Sequence, residues 1–213
     1  MLPLTRRRGG RIEIHRDFAS VMACAAESGL VAVGVDMPIG LTSNGRRSAD
    51  VEARSRLGPR RSSLFPTPPL AVLDAADFAD AQLRCRAASG GTGISIQAWN
   101  LVPKIREVSE ALTPADQPRI AEVHPESSFT ALAGRPLAPK RTPEGRAERR
   151  RVLADQIPDL DHILDQTYRG AAPDDLLDAL AAAWTARRMA TGRAEWLGDG
   201  EIDPRGFRCT IAV

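Results

Sequence analysis

The stretch Leu30–Val35 is an almost unbroken apolar run, closed by Asp36 and bounded by Gly29 on one side and by Pro38 and Gly40 on the other. It is too short for a free-standing helix, and its side chains do not alternate between apolar and polar. Such a run reads as a strand buried on both faces, the pattern of a parallel sheet covered by helices. This element directs the chain toward an α/β fold. The composition agrees: hydrophobic residues make up 43% but aromatics only 4%, so Ala, Leu, Ile and Val must fill the core, which suits helices on a sheet better than an aromatic-rich sandwich. A chain of 213 residues is of single-domain size.

The neighbouring segments extend this plan. Arg11–His15 alternates and reads as a short strand, with Met1–Thr5 as its partner through the turn signal Gly9-Gly10. Asp17 is placed to cap a helix whose apolar face carries Phe18, Val21, Met22, Ala25 and Ala26, and Gly29 ends it. Helices are expected over Ser48–Leu57, Asp74–Ala88, Ser95–Leu112 (kinked or broken at Pro103), Pro125–Ala133 and Pro143–Gln156. Pro59–Pro69 is an ordered loop or a partner-binding segment, and is taken as an insertion in the domain. Ile120–His124 reads as a second buried strand and Gly206–Val213 as a closing strand. Pro173–Ala190 is the clearest helix, with Leu177, Leu180, Ala181 and Trp184 forming its core stripe.

The net charge of +2 neither requires nor excludes a nucleic-acid partner, although arginines cluster at Arg6–Arg8, Arg46–Arg47, Arg54–Arg61 and Arg146–Arg151. Cys24, Cys85 and Cys209 lack metal-ligand or redox spacing and read as reduced thiols of a cytoplasmic protein. No stretch is apolar for long enough to span a membrane, and the N-terminus has no signal-peptide pattern.

Four groups could carry chemistry. Asp36 stands where open α/β sheets place their ligands, or else caps the turn before Pro38. Asp175 and Asp178 lie on one face of the last long helix, about 5–6 Å apart at Cβ. They either offset the helix dipole or, with Asp174, form a set more acidic than a dipole needs, which favours Mg²⁺ or Mn²⁺. His124 and Glu126 follow the second buried strand; His124 is a proton carrier or phosphate contact, or a structural histidine, which is the commoner case. Arg60, Arg61, Ser62, Ser63, Lys104, Lys140 and Arg146 are the set suited to phosphate oxygens. Gly90-Gly91-Thr92-Gly93 lacks the Gly-Lys-Ser/Thr ending of a P-loop.

Six stretches in order, VAVGVDMPIGL (Val31–Leu41), PRRSSLFPTPP (Pro59–Pro69), GGTGISIQAWNLVPKIREV (Gly90–Val108), AEVHPESSF (Ala121–Phe129), KRTPEGRAER (Lys140–Arg149) and DDLLDALAAAWTA (Asp174–Ala186), resemble the domain-of-unknown-function 429 (DUF429) family. Its members are predicted nucleases of ribonuclease H-like fold. The resemblance implies a ribonuclease H-like mixed sheet flanked by helices, with Asp36 as the fourth-strand acid and Asp175 and Asp178 as the helical pair. It also implies two-metal phosphodiester hydrolysis by a nuclease. Family members usually begin with a strand bearing an aspartate, and here that first strand is missing. Met1–Thr5 and Arg11–His15 align with the second and third strands. The place of the first strand is then expected to be filled by an upstream segment, by Met1–Thr5 or by Gly206–Val213, and the chain is expected to bind Mg²⁺ weakly and to cleave poorly. The alternatives are a non-catalytic nucleic-acid or partner-binding protein on this scaffold, and a phosphotransferase, which usually needs two such domains. Oligomeric state is not readable from the sequence.

Overall fold

A computed structural model describes residues 11–213. The elements run α1 (Phe18–Glu27), β1 (Val33–Val35), α2 (Ser48–Leu57), α3 (Phe78–Ser89), α4 (Ile96–Ala111), β2 (Ile120–Val123), α5 (Pro125–Ala133), α6 (Pro143–Ala154), α7 (Leu160–Leu164), α8 (Pro173–Ala190), β3 (Trp196–Leu197) and β4 (Ile211–Ala212). Local chemistry accounts for most of their boundaries. Asp17, Asp77, Ser95 and Thr142 cap α1, α3, α4 and α6 by accepting an amide from the first turn. Pro125, Pro143 and Pro173 open their helices where a missing N–H costs nothing. Pro103 sits inside α4 without ending it.

The four strands form one mixed sheet in the order β1-β2-β4-β3. β1, β2 and β4 are parallel and β3 is antiparallel to β4. Alternation along β2 assigns its two faces. Ile120 joins Val35, Phe18, Val108 and Leu112 in a core beneath α1 and α4. Ala121 and Val123 pack with Ala182 and Ala212 beneath α8. Helices thus cover both faces of a mixed α/β sheet. On the outer side of α8, Leu177, Leu180 and Ala181 meet Phe129, Leu153, Leu160 and Ile163 from α5, α6 and α7. Trp184 is buried as its stripe predicts, and Arg188 stacks over its ring at 4.8 Å. A separate cluster built from Val72, Leu73, Ala81, Cys85, Val102 and Ile105 ties α3 and α4 together.

Gly34 brings β1 and α8 together. A Cβ at this position would lie 2.8 Å from the carbonyl oxygen of Ala182 and 2.8 Å from Val123 Cγ2. Strand and helix therefore touch almost backbone to backbone, which no side chain larger than hydrogen allows.

Three expectations are corrected. Arg11–His15 is not a strand; it has no ladder partner among the described residues and runs as irregular chain, with Ile12 against the core and Ile14 exposed. The run from Leu30 is not buried on both faces throughout. Only Val33–Val35 is strand, and Leu30 and Val31 are 47% and 69% exposed. The reason lies in β1's position: among the described residues it is an edge strand, with no strand paired to its outer side. Finally, the closing segment does not fill the place beside β1. Its strand, Ile211–Ala212, pairs with the far side of β2. The expected strand Met1–Thr5, the Gly9-Gly10 turn and the Arg6–Arg8 cluster lie outside the described residues. An apolar groove of about 740 Å³ runs along the open side of β1, between Leu30 and Val31 and the small residues Ala179, Ala183 and Ala190 of α8.

Candidate functional site

The parallel strands β1 and β2 end at the same edge of the sheet. Asp36 follows β1, and His124 follows β2 and caps α5. Open parallel sheets place ligands at this edge. A cavity of about 690 Å³ opens there and gathers side chains from distant parts of the chain: Asp36, Arg60, Ser62, His124, Glu126, Lys140 and Asp178. The Pro-rich segment forms one wall, through a 3-10 turn over Gly58–Ser63 and the residues Leu64, Phe65 and Thr67. Lys140 and Arg141, just ahead of α6, form another.

Two buried ion-pair systems frame the cavity. Glu122 lies in the middle of a fully buried strand, where an unpaired carboxylate would be costly. Arg47 answers it with a fork: Nη1 lies 2.6 Å from Glu122 Oε2 and Nη2 lies 2.7 Å from Oε1. Arg47 also meets Asp50 Oδ1 at 2.5 Å and donates to the Gly40 carbonyl, while the Ile39 amide donates to Glu122 at 2.7 Å. Burial alone would depress the Arg47 pKa, but the two carboxylates hold it above its usual value. The second system joins Arg149 Nη2 to both oxygens of Glu126, at 2.8 and 2.7 Å. Arg149 also donates to the carbonyls of Ala138 and Gly145 and lies 5.2 Å above the Phe129 ring. Arg60 approaches Glu126 from the cavity side at 3.3 Å.

Asp36 and Asp178 are different. Among the described residues, Asp36 makes neither a hydrogen bond nor an ion pair with its carboxylate. It is exposed to solvent, bordering both the cavity and the groove beside β1, yet much of the protein lies close around it. This crowding, with the like charges of Asp178 and Glu122, pushes its carboxyl up to about 7, and Lys140 opposes the shift. Asp178 is raised as well, chiefly by burial and against the pull of Lys140, whose Nζ lies 2.8 Å from its Oδ2. The cavity therefore holds two carboxylates that repel one another, with a single half-exposed ammonium beside them. His124 is pushed down to about 4 by burial, so it is neutral at pH 7. Its Nδ1 accepts the Ser127 amide at 3.3 Å, which makes it the helix cap.

Asp175 does not line this cavity but borders the groove beside β1, which Asp36 and Asp178 also line, and it accepts the Ala172 amide at 2.9 Å, closing a capping interaction at the helix start. The other residues expected at the site stand elsewhere. Arg61 is exposed. Lys104 pairs with Glu107 on α4 at 2.8 Å, and Arg146 is an exposed residue of α6. Arg47 and Arg149 stood out in the sequence only as members of arginine clusters, and Asp50 and Arg141 were not singled out as site residues. Glu122 in a buried strand signalled that a buried cation must exist, but not which one.

Fold and site define an α/β protein with a charged cavity, lined by both carboxylates and cations, at the carboxyl edge of a parallel strand pair. A family model described as Protein of unknown function (DUF429) matches residues 3–201, and the chain belongs to that family. No curated protein and no solved structure matches it. Among the described residues, no helix is long and apolar enough to cross a membrane.

Proposed function

We propose that the chain is a metal-dependent phosphodiester hydrolase of ribonuclease H-like type that acts on nucleic acid at the Asp36–Asp178 cavity. One observation carries this reading. Glu122 is matched by an arginine fork and Glu126 by a single guanidinium nitrogen that meets both its oxygens, whereas Asp36 and Asp178 line the same cavity, Asp36 without an ion pair among the described residues and Asp178 bridged only to the half-exposed Lys140. Repelling carboxylates at a ligand-accessible edge are an all-oxygen donor set, which suits Mg²⁺ or Mn²⁺. Asp36 and Asp178 would hold the ion, with Asp175 one helical turn away at the rim. When bound, the ion would activate a water and stabilise the leaving oxygen.

The chain's own groups do the rest. Arg60 and Arg141 present guanidinium forks to phosphate oxygens along the cavity wall. Ser62 offers a hydroxyl beside them. Lys140 screens Asp178 and, being half-exposed, can turn toward a phosphate. Neutral His124 contributes a hydrogen-bonding ring rather than a charge. The ribonuclease H-like assignment is supported by the parallel strands β1, β2 and β4, of which β2 is fully buried, and by the acidic start of the last long helix. In that fold the strand order is 3-2-1-4-5; on this reading β1 and β2 would take the fourth and fifth places, with β4 and β3 added beyond β2, and the groove beside β1 would mark the place of the first strand.

The test is incubation of the purified chain with labelled single- and double-stranded DNA and RNA, with and without Mg²⁺ or Mn²⁺. Slow metal-dependent cleavage is expected, lost in Asp36→Asn and Asp178→Asn variants whose melting temperatures show them folded. Cleavage indifferent to both substitutions ends the reading. The Lys140–Asp178 bridge favours one alternative, a non-catalytic nucleic-acid binder. It would show binding with a steep salt dependence, a log–log slope of about −0.7 to −0.9 per phosphate contact, and no cleavage.

A further inference from the structure

A second group of ligand-type side chains lies away from the cavity. Glu13 and His15 come from the irregular segment before α1, and Cys24 comes from the second turn of α1. Their ligand atoms all lie within 4.8 Å of one another. Glu13 Oε2 is the shared centre: Cys24 Sγ is 3.1 Å from it and His15 Nε2 is 3.3 Å from it. A tetrahedral ion with bonds of about 2.0–2.3 Å holds its ligand atoms roughly 3.3–3.6 Å apart, so these spacings already approximate the edges of such a site. Arg11 pairs with the other oxygen, Oε1, and leaves Oε2 to face the thiol and the imidazole. An outer partner of this kind orients a ligating carboxylate.

We propose that Glu13, His15 and Cys24 form a zinc site, with the fourth position open to water or to a further ligand. The donor types decide the metal class. A thiolate and an imidazole select Zn²⁺ over Mg²⁺ or Mn²⁺, which prefer the all-oxygen set of the cavity. The site differs from the charged cavity in donors and location, and it does not depend on the proposed hydrolase activity. Its consequence is structural: it ties an arm without regular secondary structure to the first helix, across a sequence gap that hides the set from spacing rules.

The experiment uses Co²⁺ as a spectroscopic stand-in for Zn²⁺. The chain, stripped with a chelator and dialysed, is titrated with CoCl₂ under anaerobic conditions. The expected result is a thiolate-to-cobalt charge-transfer band with visible d–d bands of tetrahedral intensity, bleached by one equivalent of Zn²⁺. Cys24→Ser and His15→Ala should each weaken binding at least tenfold, with Cys24→Ser removing the charge-transfer band. Both positions are outside the core, and matching far-ultraviolet circular dichroism verifies folding of the variants. A wild-type chain that gives no band, or a band that survives Cys24→Ser and so arises at Cys85 or Cys209, overturns the proposal.

Discussion

Glu122 and Glu126 differ from Asp36 and Asp178 in what surrounds them, though all four lie at the same edge of one sheet. The two glutamates are enclosed, each gripped by an arginine that is itself buried. The two aspartates line an open cavity; among the described residues Asp36 has no ion pair, and Asp178 is bridged to the half-exposed Lys140. The difference teaches that acidity alone does not mark a site. A carboxylate whose charge is answered by a fixed guanidinium is part of the frame, and one left unanswered beside a like charge is available to a ligand.

The largest effect expected from this contrast comes from breaking a frame. Arg47→Ala leaves Glu122 and Asp50 buried without their cation, which should destabilise the protein by about 3–5 kcal/mol in denaturant unfolding. A loss under 1 kcal/mol would mean that water replaces the guanidinium and that the frame is not closed. Next comes acid sensitivity at His124. Its folded pKa of about 4 lies below the ordinary value of 6.5, so the neutral ring contributes stability that is complete above pH 6.5 and is lost as pH falls toward 4. The loss should amount to about 2–3 kcal/mol. His124→Asn keeps a cap acceptor and should flatten that part of the pH–stability curve; an unchanged slope would place the titration elsewhere.

Asp36 has the opposite sign. Its folded pKa is raised, so its penalty is absent below about pH 4, grows between pH 4 and 7 and is constant above that. Water access tempers the size, and Asp36→Asn should stabilise the protein by about 1–2 kcal/mol at pH 8 and not at pH 4. Destabilisation at pH 8 would show that Asp36 belongs with the frame. Asp175→Ala separates the role of Asp175 from that of Asp178 on the last long helix. As a cap it should cost about 1 kcal/mol and leave cleavage largely intact, whereas Asp178→Asn should abolish cleavage. The smallest effect belongs to Lys104, whose exposed pair with Glu107 is worth well under 1 kcal/mol. Lys104→Ala should also leave nucleic-acid binding unchanged, since the residue does not line the cavity.

The helices were readable because their signals are local. Pro125–Ala133 and Pro173–Ala190 match their expected bounds, each opened by a proline and carrying an apolar stripe. Short elements were not: the two-residue strand Trp196–Leu197 and the single turn Leu160–Leu164 carry too little periodicity to register. Arg11–His15 alternates as a strand should, but alternation supplies no partner. At the site, Asp36 was visible as the acid ending an apolar run and Asp178 as an acid one turn into a helix. Arg47 and Arg149 were not, because nothing near either one distinguishes it among 29 basic residues. Which arginine meets which glutamate is decided by the packing of α2 and α6 against β2 and α5, a property of the whole fold.

The contact at Gly34 sets a mechanical tolerance. Asp36 follows two residues after it, just past the end of β1, and Asp178 sits one helical turn before Ala182 on α8, so the strand and the helix act as two jaws clamped behind the aspartates. What blocks a methyl group at position 34 is a carbonyl oxygen of the helix itself, which cannot rotate aside as a side chain could. Gly34→Ala would work as a shim: it would widen the gap between the jaws while leaving every group at the cavity chemically unchanged. If the cavity positions reacting atoms, a displacement of about 1 Å can cost roughly a hundredfold in rate. The aperture of the site is thus gauged by the one residue in β1 that has no side chain.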